Sequence, residues 1–197
     1  MFNCLMHKKL PKIYHYIDEF NYNYIKALHK DIALIFRNYD KKIDENLIKK
    51  IKIFCAKNNR KLFISNNLSL AIKHNLNGVY IPSFNKNLKI NRSSLKKNFI
   101  VLSSAHNIKE IREKEKQNVD VIFLSPLFKV KKYKNYLNLN KFNFLSKFTK
   151  KKIVALGGIS EKNVNKLSLT NCNGFASISF IKVLNKKCIV SYLLKAK

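Results

Sequence analysis

Eight short apolar runs, separated by charged or helix-like segments, constrain the fold of this chain more than any other feature. Each run is continuous and partly β-branched, whereas a strand with one wet face would alternate apolar and polar residues. Continuous runs are typical of parallel strands that are buried on both faces. The predicted strands are Ile13–Asp18, Ile32–Phe36, Lys61–Ser65, Gly78–Pro82, Phe99–Ser103, Val119–Ser125, Lys151–Leu156 and Gly174–Ser179.

The segments between these strands carry helical patterns. In the segment that opens at Asp44, apolar residues recur at helical spacing, and Asp44 itself is a suitable N-cap. A strongly charged helix is predicted over Asn107–Asn118, with Glu110 and Lys114 spaced for an ion pair. Further helices are predicted over Asn21–His29, Leu68–Asn75, Lys141–Phe148, Glu161–Leu169 and Phe180–Leu194. This alternation predicts an α/β fold, a compact (β/α)8 TIM barrel of parallel strands, with residues 1–197 as a single domain. A doubly wound open sheet is the alternative.

Two adjacent glycines, Gly157 and Gly158, end the seventh run and lead into a helix-like segment that opens at Ser160. A strand that turns on two glycines into a helix N-terminus exposes several backbone N–H groups, and the helix dipole adds partial positive charge. Glycine also permits a positive φ and the close approach of an anion. The turn therefore suits a phosphate, although a tight turn without a ligand fits the residues equally well.

The net charge of +29 raises nucleic acid as a partner. Lysine supplies nearly all of this charge, because the only arginines are Arg37, Arg60, Arg92 and Arg112. Proteins that read base edges depend on the bidentate arginine fork. The lysines are spread along the whole chain, which favours a chain-wide compositional bias over a dedicated basic patch. We therefore expect no specific nucleic-acid partner, and non-specific polyanion binding at low salt.

The sequence carries no signal for export or membrane insertion. No run of about 18 uncharged apolar residues is present, and the N-terminal stretch becomes charged too early for a signal peptide. The four cysteines, Cys4, Cys55, Cys172 and Cys188, are scattered and form no CxxC pair. These features predict a cytoplasmic protein with reduced thiols and no membrane association.

In a (β/α)8 barrel, functional side chains gather where strands end and βα loops begin. Here these positions hold one arginine and several small polar groups, and the scarcity of carboxylates argues against a glycosidase. Gly157-Gly158 and Ser179 follow the last two strands, where barrel enzymes often bind phosphate. A phosphorylated small molecule is therefore the expected ligand. The strand-end positions are Asp18, Arg37, Ser65–Asn67, Pro82-Ser83, Ser104–His106, Ser125-Pro126, Gly157-Gly158 and Ser179.

Four segments share their order and spacing with a known family. They are LSSAHN at Leu102–Asn107, VDVIFLSPLF at Val119–Phe128, IVALGGI at Ile153–Ile159 and NGFASIS at Asn173–Ser179. In these segments the chain resembles thiamine-phosphate synthase and its TenI-type relatives. The resemblance implies a TIM barrel that joins hydroxymethylpyrimidine diphosphate to thiazole phosphate in thiamine biosynthesis, releasing diphosphate with Mg²⁺.

The resemblance also implies roles for individual residues. Arg37 is what this chain keeps of the family pattern Gln-x-Arg-x-Lys after the second strand, and Tyr39 stands at the lysine position. Ser104 matches the family serine after the fifth strand, so Arg37 and Ser104 are the candidate catalytic residues. The residues assigned to substrate and phosphate are Gly157, Gly158, Ser179, Lys132, Lys134 and Asn66.

The family's metal carboxylates appear in this chain as asparagines. After the third strand the family places Asn-Asp, with the Asp on Mg²⁺, and this chain has Ser65-Asn66. After the fourth strand the second carboxylate aligns with Asn85. A neutral amide is a poorer ligand for Mg²⁺ than a carboxylate. Asp18 or Asp40 is therefore expected to help Asn66 and Asn85 hold the metal.

Two other functions stay open beside the synthase. One is a TenI-like thiazole tautomerase, or a non-catalytic binder of a phosphorylated heterocycle, that needs no Mg²⁺. A tautomerase requires an acid–base histidine at the barrel mouth. His106 is the only histidine near a strand end in the matched core, although a surface position in the first helical turn is the simpler interpretation. The other is a lysine-rich, polyanion-binding barrel.

Overall fold

Eight parallel strands form a closed barrel in sequence order, in a computed structural model that describes residues 10–39, 43–87, 89–131 and 135–183. The chain therefore has the predicted (β/α)8 TIM-barrel fold, and the open sheet is excluded. The strands are β1 Ile13–Ile17, β2 Ile32–Phe36, β3 Leu62–Ser65, β4 Gly78–Ile81, β5 Ile100–Ala105, β6 Val121–Leu124, β7 Lys152–Leu156 and β8 Phe175–Ser177.

Strand β1 closes the barrel by pairing with both β2 and β8. Ile13 is in register with Ile32 on one side and with Phe175 on the other. The helices are α1 Tyr22–Ala27, α2 Glu45–Lys57, α3 Leu68–Lys73, α4 Ile108–Lys116, α5 Asn138–Ser146 and α6 Phe180–Val183, with 3₁₀ turns at Arg92–Ser94 and Val164–Leu169. In the part of the chain that the structure describes, no helix is long and apolar enough to cross a membrane.

Aromatic rings fill the barrel interior. Tyr14 contacts Phe63 and Phe123, with ring centroids 6.1 and 4.9 Å apart. Nearer the carboxyl ends of the strands, Tyr80 contacts both Phe123 and Tyr16, at 5.5 Å in each case. A second, larger apolar layer lies outside the barrel, where the strands meet the helices. Because these two layers bury both faces of each strand, the apolar runs of the sequence are continuous.

Several predicted helices have different bounds in the structure. Residues 184–194 of the helix predicted over Phe180–Leu194 lie outside the described residues. Helix α5 begins three residues before the predicted start at Lys141. The helix predicted over Glu161–Leu169 is a 3₁₀ turn that begins only at Val164. The Asn163 side chain explains the second difference, because its Oδ1 accepts from the Ser160 N–H and its Nδ2 donates to a backbone carbonyl. Such local bonds offer the backbone an alternative to helix.

The predicted ion pair between Glu110 and Lys114 is wrong. Lys114 is fully buried, and its Nζ donates to the carbonyl oxygens of Pro82 and Asn85 at 2.9 and 2.6 Å. It also donates to Oε1 of Gln117 at 3.0 Å. Glu110 instead accepts from a backbone N–H at the start of its own helix. The i,i+4 spacing therefore predicted a solvent-exposed Lys114 on the helix surface. In the structure its ammonium group is buried and binds the loop after β4.

Candidate active site

The structure brings most of the predicted site residues to one end of the barrel. Ser104 lies within β5 near its carboxyl end, and Arg37 comes directly after β2. Parallel strands in a closed barrel present their carboxyl ends on one face, so these ends form a common mouth. The other described members of this set follow their strands at Asn66, Asn85, Gly157, Gly158 and Ser179. Lys132, Lys134 and Asp40 lie outside the described residues, and their predicted roles stay predictions.

The glycine turn after β7 has the predicted backbone conformation. Gly157 and Gly158 have φ values of +92° and +69°, which favour glycine. A Cβ on Gly157 would lie 2.7 Å from the Cβ of Pro126, and one on Gly158 would lie 2.5 Å from the carbonyl oxygen of Phe128. The close approach that excludes a side chain is therefore made by the chain's own loop after β6. The Phe128 N–H donates to the Gly157 carbonyl at 3.1 Å and fixes that loop on the turn.

The same turn leaves backbone donors for a ligand. Among the described residues, no carbonyl or side chain accepts from the N–H of Gly157 or Gly158. Successive free N–H groups in a turn suit an anion. Ser179 is exposed at the start of α6, and β7 and β8 are neighbours through the pair Leu156 and Ala176. The turn and Ser179 therefore lie at adjacent strand ends, as a shared phosphate site requires.

A guanidinium and two phenols lie at the part of the mouth formed by β1, β2 and β4. The Arg37 guanidinium lies over the Tyr16 ring, with its Cζ 4.6 Å from the ring centroid. A cation–π contact of this kind contributes about 0.5–2 kcal/mol. Burial raises the pKa of Tyr80, and the hydroxyl of Ser104 opposes that rise. Arg37, Tyr16, Tyr80 and Ser104 therefore form one polar cluster in an aromatic wall.

Tyr39 adds a second bridge across this part of the mouth. Its hydroxyl lies 2.7 Å from Oγ of Ser65, and its ring contacts Phe84 with centroids 5.7 Å apart. Burial raises the pKa of Tyr39, and the bond to Ser65 lowers it. The sequence analysis treated this position only as a missing lysine. The sequence did contain one indication that Tyr39 belongs to the site. It comes two residues after Arg37, and residues two apart in an extended segment lie on the same side.

The predicted metal corner holds two amides bound to each other. Nδ2 of Asn85 donates to Oδ1 of Asn66 at 2.6 Å, and Asn66 has a φ of +57°. The described residues contain no cluster of three or more His, Cys, Asp or Glu side chains suited to a metal. The Lys114 ammonium also lies under the same loop, bound to the carbonyl of Asn85. Mg²⁺ prefers carboxylates and phosphate oxygens, so this donor set does not fit it.

Asp18 belongs to a different part of the mouth. It is exposed after β1 and lines a cavity of about 110 Å³ together with Arg37, His15 and Lys182. His15 is buried between the Ser177 carbonyl, 2.9 Å from Nδ1, and a tyrosine hydroxyl, 2.7 Å from Nε2. Burial lowers the pKa of His15, so the ring is neutral and structural. Asp18 is grouped with Arg37 and not with the asparagine pair.

Both ring nitrogens of His106 have hydrogen-bond partners. Its Nδ1 lies 2.7 Å from the carbonyl oxygen of Ser125, and its Nε2 lies 3.1 Å from Oγ of Ser83. Because a carbonyl can only accept, Nδ1 carries the proton and the Ser83 hydroxyl donates to Nε2. The ring lines a cavity of about 370 Å³ with Tyr136 and Lys141. His106 is therefore exposed, as the simpler interpretation expects, and it precedes the N-cap of α4 with its ring held by these hydrogen bonds.

Fold and site together define an eight-stranded parallel β/α barrel with polar groups gathered at the carboxyl ends of its strands. The family model described as thiamine monophosphate synthase matches residues 25–181, and the chain belongs to this family.

Known proteins similar to this chain carry the same description. It is 28% identical over 184 residues to "Putative thiamine-phosphate synthase 2" of Aquifex aeolicus, covering 87% of this chain and 97% of that one. It is 29% identical over 175 residues to thiamine-phosphate synthase of Flavobacterium johnsoniae, covering 84% and 82%. A thiamine phosphate pyrophosphorylase structure from Pyrococcus furiosus superposes with a TM-score of 0.72 at 15% identity, covering 95% and 98%. That structural likeness supports the fold.

Proposed function

We propose that this protein is a thiamine-phosphate synthase that joins hydroxymethylpyrimidine diphosphate to thiazole phosphate. The observation that carries the proposal is the glycine turn after β7, at the mouth of a barrel of this family: it has two positive φ values and two N–H groups that no described residue accepts from. The thiazole phosphate binds at Gly157-Gly158 and beside Ser179. The pyrimidine diphosphate binds at the part of the mouth where Arg37 and Ser104 lie.

The reaction transfers the pyrimidine methylene from oxygen to nitrogen. The bond between the methylene carbon and the diphosphate oxygen breaks, and its electron pair leaves with the diphosphate. The thiazole nitrogen then donates its lone pair to the methylene carbon and forms the new carbon–nitrogen bond. Arg37 stabilises the negative charge that develops on the leaving group, because a guanidinium can bind two phosphate oxygens at once. Lys132 and Lys134 are proposed to bind the diphosphate as well.

No protein-held metal is part of this proposal. The Asn66–Asn85 pair lacks carboxylates, and the oxygen of Asn66 already accepts a hydrogen bond. A divalent cation there would also face the buried Lys114 ammonium below the loop. The protein's own donors to the diphosphate are therefore the Arg37 guanidinium and the hydroxyl groups around it.

Product formation from the two substrates tests the proposal. Wild-type protein is expected to form thiamine phosphate and diphosphate. Arg37→Met is expected to lower kcat by about 100-fold or more, as loss of a charge-stabilising group does. Arg112→Met is the matched control, because Arg112 lies exposed on the outer helix α4, paired with Glu115. Absence of product, or equal loss in both variants, would contradict the synthase.

A TenI-like thiazole tautomerase, or a binder of a phosphorylated heterocycle, is the second candidate. The observation that favours it is His106, whose Nε2 is an acceptor at the edge of a cavity of about 370 Å³. Proton transfer within a thiazole needs one acid–base group and no divalent cation. Tautomerisation of a thiazole phosphate without synthase activity, lost in His106→Gln, would establish this candidate in place of the first.

A further inference from the structure

Two exposed aromatic side chains face each other at the mouth of the barrel. Tyr39 follows β2 and is 49% exposed, and Phe84 lies in the loop after β4 and is 63% exposed. Their ring centroids are 5.7 Å apart, and their ring planes are inclined at 75°. The two rings therefore form a nearly right-angled recess, which we call the aromatic corner. Exposed aromatic surface at a candidate site is typical of a surface that a ligand covers.

Both rings of the aromatic corner are held in place by polar contacts. The Tyr39 hydroxyl lies 2.7 Å from Oγ of Ser65, and this hydrogen bond fixes the far end of the Tyr39 ring. Phe84 lies in a turn that is closed by a bond of 3.1 Å from the Asn85 N–H to the Pro82 carbonyl. The corner is therefore preorganised, and a ligand that enters it loses little affinity to the ordering of side chains.

Arg37 lies close to the aromatic corner. It comes two residues before Tyr39. Burial raises the pKa of Tyr39, while the bond to Ser65 and the charge of Arg37 lower it, so the guanidinium lies near the Tyr39 hydroxyl. A pyrimidine whose diphosphate is bound by Arg37 therefore has its ring within reach of the corner. A thiazole phosphate at Gly157-Gly158 lies elsewhere, because β7 pairs with β6 and β8 and not with β2 or β4.

We infer that the aromatic corner binds the pyrimidine ring of the diphosphate substrate. The pyrimidine stacks on one aromatic face and presents its edge to the other ring, and both arrangements are favourable between aromatic groups. Tyr39 stands where the resemblance led us to expect a lysine, so the corner replaces a charged group with a stacking surface. The assignment rests on the proposed function for the identity of the substrate, and it needs no metal.

Steady-state kinetics of Tyr39→Leu and Phe84→Leu test the aromatic corner. Each variant is expected to raise KM for the pyrimidine diphosphate by about tenfold, the size of one lost stacking contact. Its kcat and its KM for thiazole phosphate are expected to stay within about twofold of the wild type, because the corner only binds the ring. Tyr39→Phe keeps the ring and loses the bond to Ser65, so its KM for the pyrimidine diphosphate should stay within about threefold.

Phe144→Leu is the matched control for both leucine variants. Phe144 is 56% exposed on the outer helix α5 and forms a similar ring pair with Phe148, with centroids 5.0 Å apart and planes inclined at 69°. Its loss removes an exposed aromatic ring at a distance from the corner. The kinetic constants of Phe144→Leu are therefore expected to equal those of the wild type.

Proton NMR of hydroxymethylpyrimidine, the ring without its diphosphate, supplies a readout that needs no turnover. Its ring proton is expected to shift upfield in the presence of the wild-type protein, because a stacked ring lies in the shielding region of an aromatic face. The shift should be smaller with Tyr39→Leu and with Phe84→Leu. It should be unchanged with Phe144→Leu.

The outcomes separate the aromatic corner from the synthase. Product formation with unchanged KM values in both leucine variants would reject the corner and leave the synthase intact. An upfield shift that depends on Tyr39 and Phe84, without product formation, would support the corner and reject the synthase. A rise in KM for thiazole phosphate instead, an equal rise in Phe144→Leu, or no upfield shift with the wild type would overturn the corner.

Discussion

The two sides of the barrel mouth differ in how closely they keep the features of the family. On the β7–β8 side, Gly157-Gly158 forms a turn whose conformation and packing suit a phosphate, with two N–H groups that have no acceptor among the described residues. On the β3–β4 side, Asn66 and Asn85 bind each other where the resemblance led us to expect metal-binding carboxylates, and Lys114 donates to the carbonyl of Asn85 in the same loop. The fold is shared by both sides, so the difference lies in the ligands that each side can hold.

The comparison shows that a site formed by backbone groups and a site formed by side chains respond differently to substitutions. The glycine turn depends on positive φ and on contact with the loop after β6, and any side chain at Gly157 or Gly158 meets that loop. The metal corner depends on two side chains, and changing each carboxylate to an amide leaves the backbone intact. Side chains at the β3–β4 corner can therefore change while the backbone of the glycine turn stays the same.

Gly158→Ala is expected to give the largest effect. The added Cβ would meet the Phe128 carbonyl at 2.5 Å, and the residue has a φ of +69°. Strain and overpacking together should lower the free energy of unfolding by about 2–4 kcal/mol. Chemical denaturation measures the loss. Asn59→Ala, at an exposed residue with a φ of +49°, is the control that carries the φ strain alone and should cost about 1 kcal/mol. Equal costs would show that the turn does not depend on its packing.

Lys114→Met is expected to follow, with a loss of about 1–3 kcal/mol, because three oxygens lose their buried donor. Desolvation lowers the pKa of Lys114 to about 8, although Glu113 and Glu110 oppose the shift. The unfolded chain therefore binds a proton that the native state has released between pH 8 and the ordinary lysine range. The stability of the wild type relative to Lys114→Met should rise with pH through this window. A difference that is constant or falls with pH would contradict the internal ammonium.

Restoring carboxylates should have a smaller and metal-dependent effect. Asn66→Asp combined with Asn85→Asp places two like charges where two amides now touch, so the double variant should unfold below the wild-type temperature in chelator. Added Mg²⁺ should recover several degrees in the double variant and leave the wild type unchanged. The single variant Asn85→Asp is the control and should respond weakly. A wild type that Mg²⁺ stabilises as much as the double variant would show that the corner already holds a metal.

The smallest effect is expected for His106→Gln in the synthase assay. The ring lies at the edge of its cavity and contacts Ser83 and Ser125, away from the proposed diphosphate site at Arg37. Synthase turnover should therefore stay within about twofold of the wild type, as for a residue outside the charge-stabilising groups. A loss of tenfold or more would bring His106 into the synthase mechanism.

Hydrophobic pattern and strand-end position were enough to predict the barrel and the location of its mouth. The strand β2, Ile32–Phe36, has the predicted bounds, and the Asp44 side chain accepts from the N–H of Asn46 as an N-cap should. These features are local, because a buried strand or a cap is determined by neighbouring residues. One failure was also local: the Asn163 side chain, through bonds to the backbone of Ser160 and Gly158, replaced a predicted helix with a 3₁₀ turn.

Long-range contacts in the site could not be read from the sequence. The bond between Tyr39 and Ser65 joins residues 26 positions apart, and Lys114 reaches carbonyls more than 25 positions away. Helical spacing predicted only that Lys114 faces Glu110. The sequence analysis explained the two glycines only by positive φ and by the close approach of an anion. In the folded barrel the loop at Phe128 also packs on the turn, and this contact could not be predicted from the sequence.

Calorimetric titration of thiazole phosphate into the wild-type protein, with chelator present, tests the central claim most directly. If the β7–β8 side binds phosphate through backbone donors while the β3–β4 side holds no metal, the phosphorylated thiazole should bind without Mg²⁺. The thiazole alcohol that lacks the phosphate should then bind at least about tenfold more weakly, as loss of charge-assisted hydrogen bonds implies. Equal affinities for the two thiazoles, or binding that appears only with Mg²⁺, would contradict the account.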